Sequence, residues 1–227
     1  MSIFRTVRAA CPACETPVLF ELVLSVNADR RRDLREAILD GSFQREACPA
    51  CGVRFRVDPE FNYIELGRRL YIGVWPLARR AEWRECAART QQAFTRAYGP
   101  TAPPGAQELA AGARVRTVFG WSALREKLLA DQAGIDDTTL EVAKLAVLRT
   151  ADEAIVPGSR ELRLVGVDDT MLHLAFVRSL GEEEVDYFDV PRTLVTDIEA
   201  DPGTWQSARE DVADGSVVDF QRELLAG

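Results

Sequence analysis

Four of the five cysteines fall in two identical tetrapeptides, Cys11-Pro12-Ala13-Cys14 and Cys48-Pro49-Ala50-Cys51. A two-residue spacer lets one tight turn present both sulfurs to a single tetrahedral metal ion. Proline fixes φ and removes an amide that would otherwise need a partner. Gly52, after the second pair, can enter the left-handed region without a Cβ penalty, whereas Glu15 holds the matching place after the first pair and suits that turn less well. Together the pairs predict one closed zinc site, with Cys11, Cys14, Cys48 and Cys51 as ligands. Four protein ligands leave no position for a catalytic water, so the expected role of the zinc is structural. A thioredoxin-like redox pair is the rival; it needs one pair beside a βαβ unit and leaves the other pair unexplained. The 33 residues between Cys14 and Cys48 exceed the usual spacing of such sites, so an additional element must be inserted there.

Other reactive side chains point to no catalytic residue. His173 is the only histidine and lies mid-strand among Leu172, Leu174 and Phe176, where a hydrogen-bonded structural role is expected. Cys86 shares an apolar helical face with Trp83 and Phe94, which makes it a small core residue. Asp136-Asp137 precedes a helix and reads as capping rather than metal ligation. Glu182-Glu183-Glu184 and Asp186 read as a solvated guard on a sheet edge, with an acidic docking edge for a basic partner as the alternative. Arg30-Arg31-Arg32 with Arg35, joined by Arg54, Arg56, Arg68 and Arg69 if the sheet gathers them, is the basic surface a nucleic-acid-binding zinc ribbon would use. Asp29, Asp33 and Glu36 are interleaved with the first cluster and are expected to pair with it. There is no Walker loop, dinucleotide loop, Gly-x-Ser-x-Gly or His-based zinc motif.

The elements that must position the knuckles are readable from periodicity. Strands are expected over Ile3 to Ala9 and Val18 to Val26, a helix over 28–40 ending at Gly41, and a half-buried strand at Val53, Phe55 and Val57. A hairpin follows from Phe61 to Val74 around Gly67-Arg68-Arg69, then an amphipathic helix over 80–97. The Pro/Gly-dense run from Gly99 to Gly105 reads as the start of a linker. Beyond it come a strand at Val115 to Gly120, a helix over 122–133, and a helix to about Arg149 opened by a Thr138-Thr139-Leu140-Glu141 capping box. Pro157-Gly158 breaks the chain. A hairpin of Leu162 to Val167 and Met171 to Val177 and a third strand at Val185 to Val190 follow, extended past Pro191 by Thr193 to Ile198. A short helix capped by Thr204 and a last element over 217–225 end the chain.

Composition sets the frame. The 227 residues, 47% apolar, suffice for a sizeable core. No apolar run is long enough for a membrane span, and Met1 to Ala10 lacks the apolar core of a signal peptide. A cytoplasmic, reducing setting is therefore expected, which favours metal over disulfides. Residues 1–98 carry 16 Lys+Arg and 12 Asp+Glu, net +4, and residues 99–227 carry 12 and 24, net −12, which sums to the chain's −8. This asymmetry, with the Pro/Gly-dense run, predicts two domains with different surfaces: a 1–98 domain that holds the knuckles, a 99–113 linker and a 114–227 acidic domain. The fold class expected is α+β: an N-terminal zinc-ribbon-like antiparallel sheet with an inserted helix, then a second α+β domain with a small antiparallel sheet.

The two Cys-Pro-x-Cys pairs at this separation resemble the bacterial CpXC family. The likeness extends to Leu34-Arg35-Glu36-Ala37-Ile38-Leu39-Asp40-Gly41, to Leu124-Arg125-Glu126-Lys127 and to Gly134-Ile135-Asp136-Asp137. It implies a zinc-ribbon-like N-terminal half and supplies no reaction. The function expected is a non-catalytic zinc-binding adaptor that recruits a protein partner. The alternative is nucleic-acid binding through the arginine-rich half, and thiol redox chemistry stands third.

Overall fold

A computed structural model describes residues 1–150, 160–178 and 183–222 of the chain. Its centre is a five-stranded sheet. The hairpin of β1 (Ile3–Ala10) and β2 (Pro17–Asn27) carries the first knuckle between its strands. α1 (Arg32–Leu39) follows and ends at Gly41, whose φ of 76° stops the helix. It is shorter than the 28–40 expected because Arg30 and Arg31 donate backbone hydrogen bonds to the Asn27 carbonyl in a turn. The second knuckle joins β3 (Glu46–Ala47) to β4 (Arg54–Phe55), a two-residue pairing where a longer strand was expected. β5 (Phe61–Glu65) and β6 (Leu70–Trp75) form the expected hairpin, and α2 (Trp83–Tyr98), α3 (Pro104–Leu109) and β7 (Arg114–Phe119) follow.

The strand order is β1-β2-β5-β6-β7. The sheet is mixed: β2 runs parallel to β5 and β6 parallel to β7, because α1 with the second knuckle, and α2 with α3, serve as the crossovers that parallel neighbours need. β6 is buried on both faces. Its Leu70, Ile72 and Val74 join Leu34 and Ile38 of α1 and Leu124 and Leu128 of α4 (Gly120–Gln132) in one core. Trp75 joins Trp83 and Cys86 of α2 in another. Thr90 lies so close over Gly73 that no Cβ fits there, which sets how near α2 can approach the sheet.

Separate halves with a linker at 99–113 are not what this packing contains. β7, beyond that segment, is the fifth strand of the same sheet, α4 fills the core under β5 and β6, and the segment itself holds α3. A charge asymmetry along the chain carries no information about which strands pair.

A second layer contains α5 (Asp137–Thr150), the antiparallel sheet β10-β9-β8 with β8 (Arg160–Val167), β9 (Met171–Arg178) and β10 (Glu184–Pro191), then α6 (Thr193–Ala200), α7 (Gln206–Val212) and the pair β11 (Ala213–Asp214) and β12 (Val217–Val218). The protein is thus α+β, with small antiparallel sheets beside the larger one. Three local expectations are corrected. Thr193 to Ile198 is helical, with Val195 and Ile198 at i,i+3 turned into the core. α5 is capped by Asp136, whose Oδ1 accepts from the Thr139 amide at 3.0 Å, rather than by Thr138. Thr204 does not cap α7; its hydroxyl donates to Asp201 at 2.7 Å. Pro157-Gly158, Glu182 and residues 223–225 lie outside the described residues.

Candidate metal centre

The two knuckles adopt the same backbone. The Cys11 amide donates to the Thr16 carbonyl at 3.0 Å and the Glu15 amide to the Cys11 carbonyl at 2.9 Å. In the second, the Cys48 amide donates to the Val53 carbonyl and the Gly52 amide to the Cys48 carbonyl, both at 2.9 Å. Gly52 has φ 74° and Glu15 has φ 58°, so the less suitable residue is held in the left-handed region all the same. The knuckles are locked together by a small core in which Cys11 and Cys48 are buried with Val18 and Phe20, and by the Phe20 and Phe55 rings meeting edge to face at 5.1 Å.

The result is a cluster in which the four Sγ atoms all lie within 4.8 Å of one another. Two pairs that run between knuckles, Cys11 to Cys51 and Cys14 to Cys48, are each 3.6 Å apart. A tetrahedral zinc with Zn–S bonds of about 2.3 Å sets its sulfurs about 3.8 Å apart, so the donor set and spacing fit such an ion. Cys11 and Cys48 are buried, while Cys14 and Cys51 face solvent and give a metal its way in. The thiols are electrostatically unlike. Hydrogen bonding to the Thr16 hydroxyl, then to the Thr16 backbone, draws the Cys14 thiol down to about 6. The Val53 backbone favours the Cys51 thiolate, but its contact with Cys14 and its desolvation push it up to about 12. A cation at the centre would convert this sharing of protons into four thiolates.

The remaining sequence candidates lie elsewhere. Cys86 is buried between Trp75 and Trp83, and burial pushes its thiol up. His173 is hydrogen-bonded through Nδ1 to Asp189 at 2.7 Å, which raises its pKa, and its Nε2 lies 3.2 Å from Asp168. Arg31 pairs with Asp33 at 2.6 Å, Arg35 with Glu65 at 3.2 Å, and Arg68 with Asp131. Asp29 instead accepts from the Leu66 and Gly67 amides. Arg56 stacks over Trp121 at 4.8 Å. Of the acidic run, Glu183 pairs with Arg178, Glu184 with Arg125 and Asp186 with Arg160, along the edge strand β10.

A second constellation escaped the sequence reading. Glu126, Asp137, Glu141, Glu161 and Asp219 interlock with Arg80, Arg116, Lys127, Lys144 and Arg163 in the interior. Five carboxylates meet five cations, so the network is neutral when all are ionised. Lys144 donates to both oxygens of Glu126 at 3.0 Å and to the Leu162 carbonyl at 3.2 Å. Its contact with Glu141, 2.8 Å, lacks hydrogen-bond geometry. Burial pushes Glu141 up to about 7, against Lys144 and with the help of Glu126. Asp137 is also buried, yet Lys127 and Arg116 outweigh that and hold it well below the carboxylate range. The available signal was Glu161 and Arg163 alternating with Leu162 and Leu164 in β8, which periodicity assigns to a wet face. Here α4 covers that face, so both are buried.

Among the described residues no helix is long and apolar enough to cross a membrane. A family model described as CpXC protein matches residues 9–144, more than half of the 227. No curated protein and no solved structure matches the chain.

Proposed function

The chain belongs to the CpXC family, and from that premise we propose that it is a non-catalytic adaptor of the bacterial cytoplasm, built on a structural zinc site and recruiting a protein partner. The observation that carries this reading is the convergence of Cys11, Cys14, Cys48 and Cys51 within 4.8 Å. Four thiolates saturate a tetrahedral ion and leave no open position for substrate or water. The metal then works as a cross-link between two hairpins that share only a small apolar core. Structural zinc contributes folding free energy on the order of 10–16 kcal/mol in small fingers, enough to dominate the stability of such a unit.

Metal analysis of freshly purified protein tests this. One zinc per chain is expected, lost in Cys11→Ser together with the order of residues 1–20 and 43–58. Metal-free protein with the Cys11–Cys14 pair oxidised would replace the reading with thiol redox chemistry.

A further inference from the structure

A groove of about 330 Å³ lies along the five-stranded sheet where α2 overhangs β5 and the outer part of β2. Its position follows from packing. Thr90 seats α2 tightly on β6 at Gly73. β2 pairs with β5 only through Ser25, Val26 and Asn27, so the sheet opens beside Leu24 instead of rising to meet the helix. Along the helix, Arg89 and Arg96 stand two turns apart on one stripe and face this gap. The floor is Trp75 and the rim is Leu24, which is 36% exposed although apolar.

The groups on this wall are prepared for an anion. The Arg89 guanidinium stacks on the Trp75 ring at 4.9 Å, which fixes its plane while leaving its N–H edge outward. Its ion pair with Glu85 is long, 3.7 Å, on an exposed helix surface, and contributes little there. The Trp75 indole N–H is already used by Thr90 at 2.9 Å, so the floor makes no polar demand. Glu60 is the single carboxylate among the lining residues, placed to accept from a backbone amide.

We propose that this groove is the docking surface of the adaptor and that its occupant is an extended acidic segment of a partner protein. Seven residues of helix separate Arg89 from Arg96 by about 10 Å. An extended chain with three residues per turn brings its side chains to one face every 9 Å or so. Carboxylates three residues apart therefore reach both arginines, while an apolar side chain between them, turned to the side of the groove, covers Leu24 at its rim. This inference rests on the adaptor reading but not on the metal, since the groove lies on α2 and the sheet rather than at the knuckles.

Fluorescence anisotropy with the full-length, metal-loaded protein tests it, using labelled peptides of four Glu-Pro-Leu repeats, the matching Lys-Pro-Leu peptide, and a twelve-residue oligo-dT. The acidic peptide alone is expected to bind, more weakly as salt rises, and Arg89→Glu with Arg96→Glu should lower its affinity at least tenfold. Zinc content and far-UV circular dichroism should be unchanged by the double substitution, which separates loss of the groove from loss of the fold. Unaltered affinity in the double variant, equal binding of the basic peptide, or no binding of the acidic peptide overturns the proposal. Preference for oligo-dT also overturns it and makes the groove a nucleic-acid site. None of these outcomes changes the metal analysis by which the zinc reading stands or falls.

Discussion

Glu15 is where the two knuckles differ in sequence while agreeing in backbone. Its φ of 58° places a Cβ in the left-handed region, where a non-glycine residue costs on the order of 1–3 kcal/mol. Gly52 bears no such cost in the sister turn. Glu15→Gly should therefore stabilise the metal-loaded protein by roughly 0.5–1 kcal/mol once the greater freedom of the unfolded glycine is offset, read as a higher urea midpoint. A lower midpoint would mean that the Glu15 side chain makes a contact worth more than the strain. The ligand set was readable at this scale because two-residue spacing is a local property that a turn must satisfy wherever it sits. The buried ion pairs were not, because Arg80 reaches Glu161 across 81 positions, and nothing local distinguishes a buried charge from a solvated one.

Elements were readable where their periodicity is set by one neighbour. The β5–β6 hairpin and α2 fall where alternation and the apolar stripe place them. Elsewhere the pattern left burial unread in a strand placed as expected, and in one case took a helix for a strand. β8 alternates charge and leucine yet is buried on both faces over Glu161–Leu164, and α6 continues from a strand past Pro191 with an i,i+3 pair too short to separate helix from strand. Gly73 gives this scale a test. A methyl group there would meet the Thr90 side chain in the α2–β6 contact, where Thr90 is also held by Trp75 and by the Cys86 carbonyl at 3.0 Å. Gly73→Ala should cost about 1–3 kcal/mol as overpacking, seen as a lower midpoint at unchanged zinc content. An unperturbed midpoint would show that α2 rides on the sheet loosely enough to shift.

For the whole molecule the question is whether the basic and acidic halves behave as one unit. The five-stranded sheet ends with β7, α4 fills the core beneath β5 and β6, and Arg80 at the start of the α2 region pairs with Glu161 of β8. Tryptophan fluorescence and circular dichroism should accordingly report a single coincident unfolding transition; two separated transitions would restore two independently folding halves. The buried network makes that unit sensitive to pH in both directions. Glu126, Glu161, Asp137 and Asp219 have lowered pKa values despite burial, because the arginines and lysines around them outweigh it. Their stabilisation is present above the ordinary carboxylate range and is lost as pH falls below it. Glu141 works the other way. Burial raises it from 4.5 to about 7, so the folded state holds a proton that the unfolded chain has released. That contribution is full below pH 4.5 and disappears as pH rises through about 7. Replacing Glu141 by Gln keeps the shape and removes the titration. Relative to the parent measured at the same pH, which cancels the thiolate–metal contribution, Glu141→Gln should gain stability steadily between about pH 4.5 and 7. If the difference is instead flat over that interval, Lys144 and Lys127 hold Glu141 as a carboxylate in the fold, and the network is neutral by five full ion pairs rather than carrying the net +1 that a protonated Glu141 leaves.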